Sequence, residues 1–291
     1  MPFILIHTPQ ASGTLVGVLE VVLVSTLAGL LGSLTGLGGA SVTIPFLVLL
    51  GVPVKHAVAS GLISVIATSS GSSSSFLREG VTSLKAAMFL ECFTITGAIL
   101  GALLTVNVSS TAVALSFSAV MILSLLLTRL TGSHQGPEGV RQDRVSAWLG
   151  LEGSYFDASL GREVRYRLTN AVYGGLAMVW AGAVAGMLGI GAGAFKVAIH
   201  ELVLRMPTKV STSTSNLIMG MTALAGAGVY VASGLMVLDL AAPMALGTTL
   251  GSIAGSSLLT RIRDVNLRRL YFVLAGVSAA VMLYRALVLG V

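Results

Sequence analysis

Five ionisable side chains lie inside apolar stretches of this 291-residue chain: Glu20, Glu91, Lys196, His200 and Glu201. A charge at membrane depth is costly unless it is paired or put to use, so each is a candidate for handling an ion or a proton. Lys196 and His200 are four residues apart and share a helix face, whereas Glu201 points away from Lys196. A cation here is suited to meet a bound anion; the alternative for Lys196 and His200 is that they reach to a membrane interface. Glu20 and Glu91 suit proton uptake in a coupled cycle, or simple pairing with a neighbouring hydroxyl or cation. Hydroxyls crowd two further stretches, Ser60, Ser64, Thr68, Ser69, Ser70 and residues 72–75 in one, residues 211–215 with Thr222 in the other. Most single hydroxyls satisfy themselves on their own helix carbonyls. Asn216 is harder to satisfy, and with Ser213 one turn before it and Gly220 one turn after it lines a small polar face.

These groups need elements that position them, and glycine marks where those elements break. The chain reads Gly36-Leu37-Gly38-Gly39-Ala40-Ser41 in one place and Gly189-Ile190-Gly191-Ala192-Gly193-Ala194 in another. Each opens onto a short apolar run, 39–52 and 193–205, too short to cross a bilayer of about 17–25 helical residues. A helix that starts at such a break presents unpaired N–H groups and the positive end of its dipole, which attract anions. The expected binding groups are therefore Gly38, Gly39, Ala40 and Ser41 from one break and Gly191, Gly193 and Lys196 from the other. Ser60, Ser64, Ser213 and Asn216 stand beside them as orienting groups, and Glu20, Glu91 and His200 serve coupling. The competing reading of these glycines is close helix crossing.

The two breaks belong to a duplication. They are 153 residues apart, and after a one-residue insertion the match continues at 154: Pro53 with Pro207, Lys55 with Lys209, Gly80 with Gly234, Gly97 with Gly251, Gly101 with Gly255. Duplicated hydrophobic halves with corresponding interruptions indicate a secondary transporter whose site lies between the interruptions. Gly97 and Gly101, and likewise Gly247, Gly251 and Gly255, follow the four-residue spacing that lets membrane helices pack closely, or that lines a homo-oligomer contact.

Composition fixes the class. Hydrophobic residues make up 55% of the chain and charged ones 10%, and the mean hydropathy is +0.93, values that a water-facing surface does not permit. The chain is read as an all-α integral membrane protein of two inverted-topology repeats, 13–130 and 170–290, with five helical segments each. The segments fall at 13–34, 39–52, 57–76, 84–106 and 110–130, then 170–190, 193–205, 211–232, 239–262 and 268–290. Residues 131–169 are polar and form a linker, in which 163–168 alternates like a short strand or hairpin arm. Alternating the loops across the ten segments sends Arg78, Lys85, the six arginines from Arg129 to Arg167, Arg205, Lys209, Arg261, Arg263, Arg268 and Arg269 to one side, and Lys55 to the other. The positive-inside rule makes the Arg-rich side cytoplasmic and puts both termini outside. An odd number of segments per half then requires the halves to be inverted. The net charge of +6 is accounted for by these loops, with no nucleic-acid partner. Cys92 is the only cysteine, which excludes an internal disulfide and a thiolate metal cage and leaves packing as its role. No cofactor is expected. His200-Glu201 lacks the second histidine of a zinc-protease helix, and there is no nucleophile elbow and no phosphate-binding loop for ATP.

Gly36 to Pro45, followed by Gly51-Val52-Pro53 and residues 57–60, resembles the first-repeat signature of the TauE/SafE family of sulfite exporters and sulfonate permeases. Gly189 to Lys196, Pro207 and residues 211–216 resemble its second repeat. Ala40 and Ala192 stand where the family often has glycine, and Ala198 where it often has proline. The resemblance implies secondary transport of sulfur-containing oxyanions or organosulfonates, in either direction. From the residues alone, an ion-coupled anion carrier, a passive anion channel and a membrane-embedded enzyme all remain open.

Overall fold

The protein is described by a computed structural model over residues 15–35, 37–130, 141–157, 161–259 and 264–288. Gly36 of the first motif, the chain termini and several linker and loop residues, among them Glu138, Arg261 and Arg263, lie outside the described residues. The first half contains α1 (Leu15–Thr35), α2 (Ala40–Leu49), α3 (Val54–Arg78), α4 (Leu84–Asn107) and α5 (Ser110–Leu130). A short helix α6 (Arg144–Trp148) and a hairpin of β1 (Glu152–Asp157) and β2 (Arg162–Arg167) follow. The second half contains α7 (Ala171–Leu188), α8 (Gly193–Leu202), α9 (Thr208–Ala232), α10 (Leu238–Leu259) and α11 (Asp264–Val288). All ten apolar segments are thus helical, and the protein is an all-α integral membrane protein. Six of the helices, α1, α4, α5, α7, α9 and α11, have the length and apolar composition to cross a bilayer. Helices α3 and α10 are as long and are lined with hydroxyls. At 10 residues each, α2 and α8 span only about 15 Å, half of a hydrocarbon core of about 30 Å.

Positions paired by the sequence spacing take matched backbone conformations. Gly38 and Gly191 have φ of 76° and 70°, Gly80 and Gly234 66° and 69°. Pro53 and Pro207 both precede a 25-residue helix, with φ, ψ of −56°, 137° and −58°, 142°. Arg205 adopts φ 59° where the first half has Gly51 at 90°. Ala192, in a place where glycine is common in the family it resembles, takes a left-handed φ of 49°.

The fourth helix of each half packs into the other half. Helices α1, α2 and α3 form a bundle with α10, while α7, α8 and α9 form one with α4. The bundles meet where α3 crosses α9, and α5 and α11 pack together, α11 against α2 and α5 against α8. The glycine stripes are what make the exchange close. A Cβ on Gly97 or Gly101 would stand 2.0 Å from the carbonyl oxygens of Val179 and Ala183, and one on Gly251 1.9 Å from that of Thr26. The four-residue glycine spacing therefore serves α4–α7 and α1–α10 crossings, as the packing reading expects.

The hairpin confirms a strand within residues 163–168 and pairs it antiparallel with β1, Glu152 opposite Arg167. Its base, Leu151, Tyr155 and Leu168, packs on Ala86, Met206 and Val210 at the starts of α4 and α9. Asp143 caps α6 through the N–H and hydroxyl of Ser146 and also accepts the Asn170 N–H at 2.7 Å, just before α7. Partial burial alone raises its pKa, but the Ser146 and Asn170 hydrogen bonds outweigh it and hold the carboxyl below its usual 3.8.

Candidate functional site

The two glycine breaks converge. A Cβ on Gly38 would lie 3.4 Å from a Val65 methyl and 3.7 Å from the Ile190 carbonyl oxygen, and one on Gly191 would lie 2.9 Å from the other Val65 methyl. Val65 of α3 therefore stands between the breaks, with Met219 of α9, its partner at a spacing of 154, 3.1 Å from the Gly191 position. The starts of α2 and α8 are brought to one place deep in the protein by the α3–α9 crossing. Residues Gly38, Gly39, Ala40, Ser41, Gly191 and Gly193 are all buried there.

Each break is tied to its neighbouring long helix by a threonine. On the first side the Gly39 N–H donates to Thr68 Oγ1 at 3.2 Å, and the Thr68 hydroxyl donates to the Ser64 carbonyl at 2.7 Å. Ser41 returns its hydroxyl to the Gly38 carbonyl at 2.9 Å. Ser60 and Ser64 lie two turns and one turn from Thr68 on the same face of α3, buried, with hydroxyls that have no hydrogen-bond partner among the described residues. On the second side the threonine at the same spacing is Thr222, and it receives a charge: Lys196 Nζ donates to Thr222 Oγ1 at 2.9 Å. Thr222 in turn has Glu91 Oε1 at 3.1 Å, and Thr94 donates to Glu91 Oε2 at 3.3 Å. Lys196 is 0% exposed and Glu91 3%, which excludes an interfacial position for Lys196 and joins an expected binding group to an expected coupling group.

His200 is also fully buried, one turn beyond Lys196. Its Nδ1 lies 3.3 Å from the Ser211 carbonyl and must carry the hydrogen, since a carbonyl only accepts. Its Nε2 has no hydrogen-bond partner among the described residues. Glu20 is elsewhere, exposed on α1, and is not brought to this cluster. Ser213 turns to the Val81 and Val210 carbonyls, both at 3.1 Å, and so fastens α9 to the turn before α4. Asn216 donates to the Thr212 carbonyl at 3.0 Å and accepts from Ser72 at 3.4 Å, linking α9 to α3. A cleft of about 220 Å³ opens beside this link, lined by Ser69, Ser70 and Ser73 of α3 and Gly220 and Leu224 of α9. Cys92 is exposed on the flank of α4 and does not pack inside, a correction to the role read from sequence.

Nothing in the sequence marks Thr94, and Thr222 is one hydroxyl among many. The signal that finds Thr222 is its spacing of 154 from Thr68.

A bundle of membrane-length helices around two converging half-helices is the architecture of a polytopic membrane transport protein. Residues 21–282 match the model of the family described as sulfite exporter TauE/SafE, and the chain belongs to that family. A curated relative, the probable membrane transporter protein YunE of Bacillus subtilis (strain 168), is 23% identical over 266 residues, 88% of this chain and 94% of the relative. No solved structure matches the chain.

Proposed function

We propose that the protein is a secondary transporter of sulfur-containing oxyanions or organosulfonates, with the anion held between the starts of α2 and α8 and its movement coupled to an ion. The observation that carries this reading is the convergence of Gly38 and Gly191 on Val65. It aims two helix N-termini at one point beside a buried lysine. Two such ends supply attraction with few full charges, which lets a bound anion leave again. In this reading the backbone of Gly38, Ala40, Gly191 and Gly193 receives the anion, Lys196 supplies the fixed cation, and Gly39 and Ser41, whose N–H groups donate to Thr68 Oγ1 and the Gly38 carbonyl, shape the first break. Ser60 and Ser64 are buried donors on the α3 face that carries Thr68, without a partner among the described residues, Ser213 and Asn216 hold α9 in place, and Glu91 and His200 are the groups that titrate for coupling.

The same proposal divides the chain into repeats 13–130 and 170–290, inverted across the membrane, with the linker 131–169 cytoplasmic and both termini outside. The exchange of α4 and α10 makes two bundles that meet at the α3–α9 crossing, and in this reading they rock about it, each bundle carrying one break.

Equilibrium binding on purified protein with sulfite, taurine, sulfoacetate, an aryl sulfonate and sulfate tests the reading. At least one sulfur oxyanion should bind saturably, and Lys196→Gln should weaken it by about tenfold to a hundredfold, the worth of a charged hydrogen bond. Equal affinity in the Lys196 variant, or binding by none of the panel, would remove the site from this position.

A further inference from the structure

The Lys196, Thr222 and Glu91 cluster has a neutral twin. At the same sequence spacings, the bundle of α1–α3 with α10 places Thr43, Thr68 and Ala245 where the bundle of α7–α9 with α4 has Lys196, Thr222 and Glu91. In the twin, Thr68 accepts a backbone N–H from Gly39; in the charged copy, Thr222 accepts the Lys196 ammonium. The architecture thus closes one bundle with no ionisable group at this place. A buried acid and base contribute little stability over well-packed apolar residues, so the charged copy is not accounted for by folding.

Thr222 gives the cluster two arrangements. Its hydroxyl has one hydrogen and two acceptor groups in reach, the Glu91 carboxylate, with Oε1 at 3.1 Å and Oε2 at 3.4 Å, and the Ile218 carbonyl at 2.7 Å. With Glu91 ionised, the hydroxyl turns to the carboxylate and Lys196 is balanced by it. With Glu91 protonated, its new O–H donates to Thr222 Oγ1, the Thr222 hydrogen turns to Ile218, and Lys196 has lost its counter-ion. Adding an anion alone would leave a net negative charge in a dry site, which costs several kcal/mol. Adding an anion together with a proton leaves the charge at zero.

We propose that Glu91, Thr222 and Lys196 form a proton–anion cotransport site, in which the anion replaces Glu91 as the counter-ion of Lys196 while Glu91 takes one proton from the same side. One proton then moves with each monovalent anion, and transport is electroneutral. The proposal rests on the anion-transport reading above. Few other charged or titratable groups surround Glu91. His200 lies one turn beyond Lys196 on α8, with Glu201 on the adjoining face. Helix α7 brings Tyr173, 71% exposed, and α9 brings Lys209 in its first turn and Tyr230, whose hydroxyl donates to the Gly186 carbonyl at 2.8 Å. On α4 itself stand Lys85 in the first turn and Cys92 on the outer flank.

Proteoliposomes with a monovalent sulfonate such as benzenesulfonate separate the proton of the protein from any proton of the substrate, because the sulfonate does not protonate. A one-unit pH gradient, acid outside, should accumulate the sulfonate about tenfold inside. A membrane potential of about 59 mV, which would move a lone monovalent anion tenfold, should do nothing. Glu91→Gln should reverse both results, with accumulation near onefold under the pH gradient and about tenfold under the potential, while Glu91→Asp keeps the native pattern. The proposal is overturned by sulfonate flux that carries negative charge in the native protein, or by pH-driven accumulation in Glu91→Gln. Should that variant fail to fold, the charge measurement on the native protein decides alone. Absence of both sulfonate and sulfite flux in the native protein would overturn the transport reading itself, and this proposal with it.

Discussion

Gly191→Ala tests whether the two breaks meet where Val65 stands. The substitution meets two obstacles. At φ 70° the backbone is left-handed, which costs an L-residue about 1–2 kcal/mol. The added methyl also lies 2.9 Å from Val65 Cγ1 and 3.1 Å from Met219 Sδ, against about 3.5–4.0 Å for relaxed carbon contacts. Met219 is unbranched and can move, whereas Val65 is β-branched and stiff at χ1. The overlap, worth about 1–3 kcal/mol, therefore falls on Val65. A double-mutant cycle with Val65→Ala isolates it. Reversible unfolding of the purified protein in mixed micelles should show Gly191→Ala destabilised by about 2–5 kcal/mol, and Val65→Ala should return about 1–3 kcal/mol of that loss beyond additivity. The backbone strain remains in the double variant. Additivity to within about 0.5 kcal/mol would show that Val65 does not stand against Gly191, and the convergence of the breaks would go with it.

Gly251→Ala should destabilise strongly and lower the yield of folded protein, because its Cβ meets the Thr26 carbonyl at 1.9 Å, whereas Gly276→Ala on α11, with nothing within 4 Å, should be neutral or stabilising by up to about 1 kcal/mol; thermal melts in detergent compare them. The carboxyl of Asp143 is held below its usual 3.8, so its contribution is present above that value and lost as pH falls through its folded-state value. Amide exchange of residues 141–157 and 161–170 should accelerate in that acid range, and Asp143→Asn should be fast already at neutral pH; an unchanged acid profile in the variant would assign the loss to other groups. Cysteine introduced at Ser154 should react with a charged maleimide only from the cytoplasmic side, while Cys92, exposed on the α4 flank, should react only after detergent extraction; labelling of Ser154→Cys from outside intact cells would invert the topology.

Much of the architecture was legible because its signals are local. Apolar runs and loop charges gave the ten segments, and the breaks at Gly38 and Gly191 announced themselves through glycines whose positive φ other residues avoid. The alternation of Glu163 to Leu168 was enough for β2. What sequence could not supply is which helix faces which. The exchange of α4 and α10 between bundles follows from glycine contacts such as Gly97 with Val179, 82 residues apart in the chain. The joining of Glu91 to Lys196 through Thr222 depends on that exchange, since it brings a first-half acid into the second-half bundle. Exposed Glu20 and buried Glu91 look alike in the sequence for the same reason: both are lone acids in apolar runs, and only packing tells a lipid or water face from a protein face.

Counterflow across a reconstituted membrane tests the central claim most directly. Vesicles loaded with unlabelled sulfite or sulfonate are diluted into a trace of the labelled anion at equal pH and zero potential. A carrier whose single site alternates between the two sides should draw label inward to a transient overshoot well above its equilibrium level, and Lys196→Gln should abolish it. Monotonic equilibration of label without overshoot, accompanied by single-channel currents in the same preparation, would contradict the account and identify a passive pore.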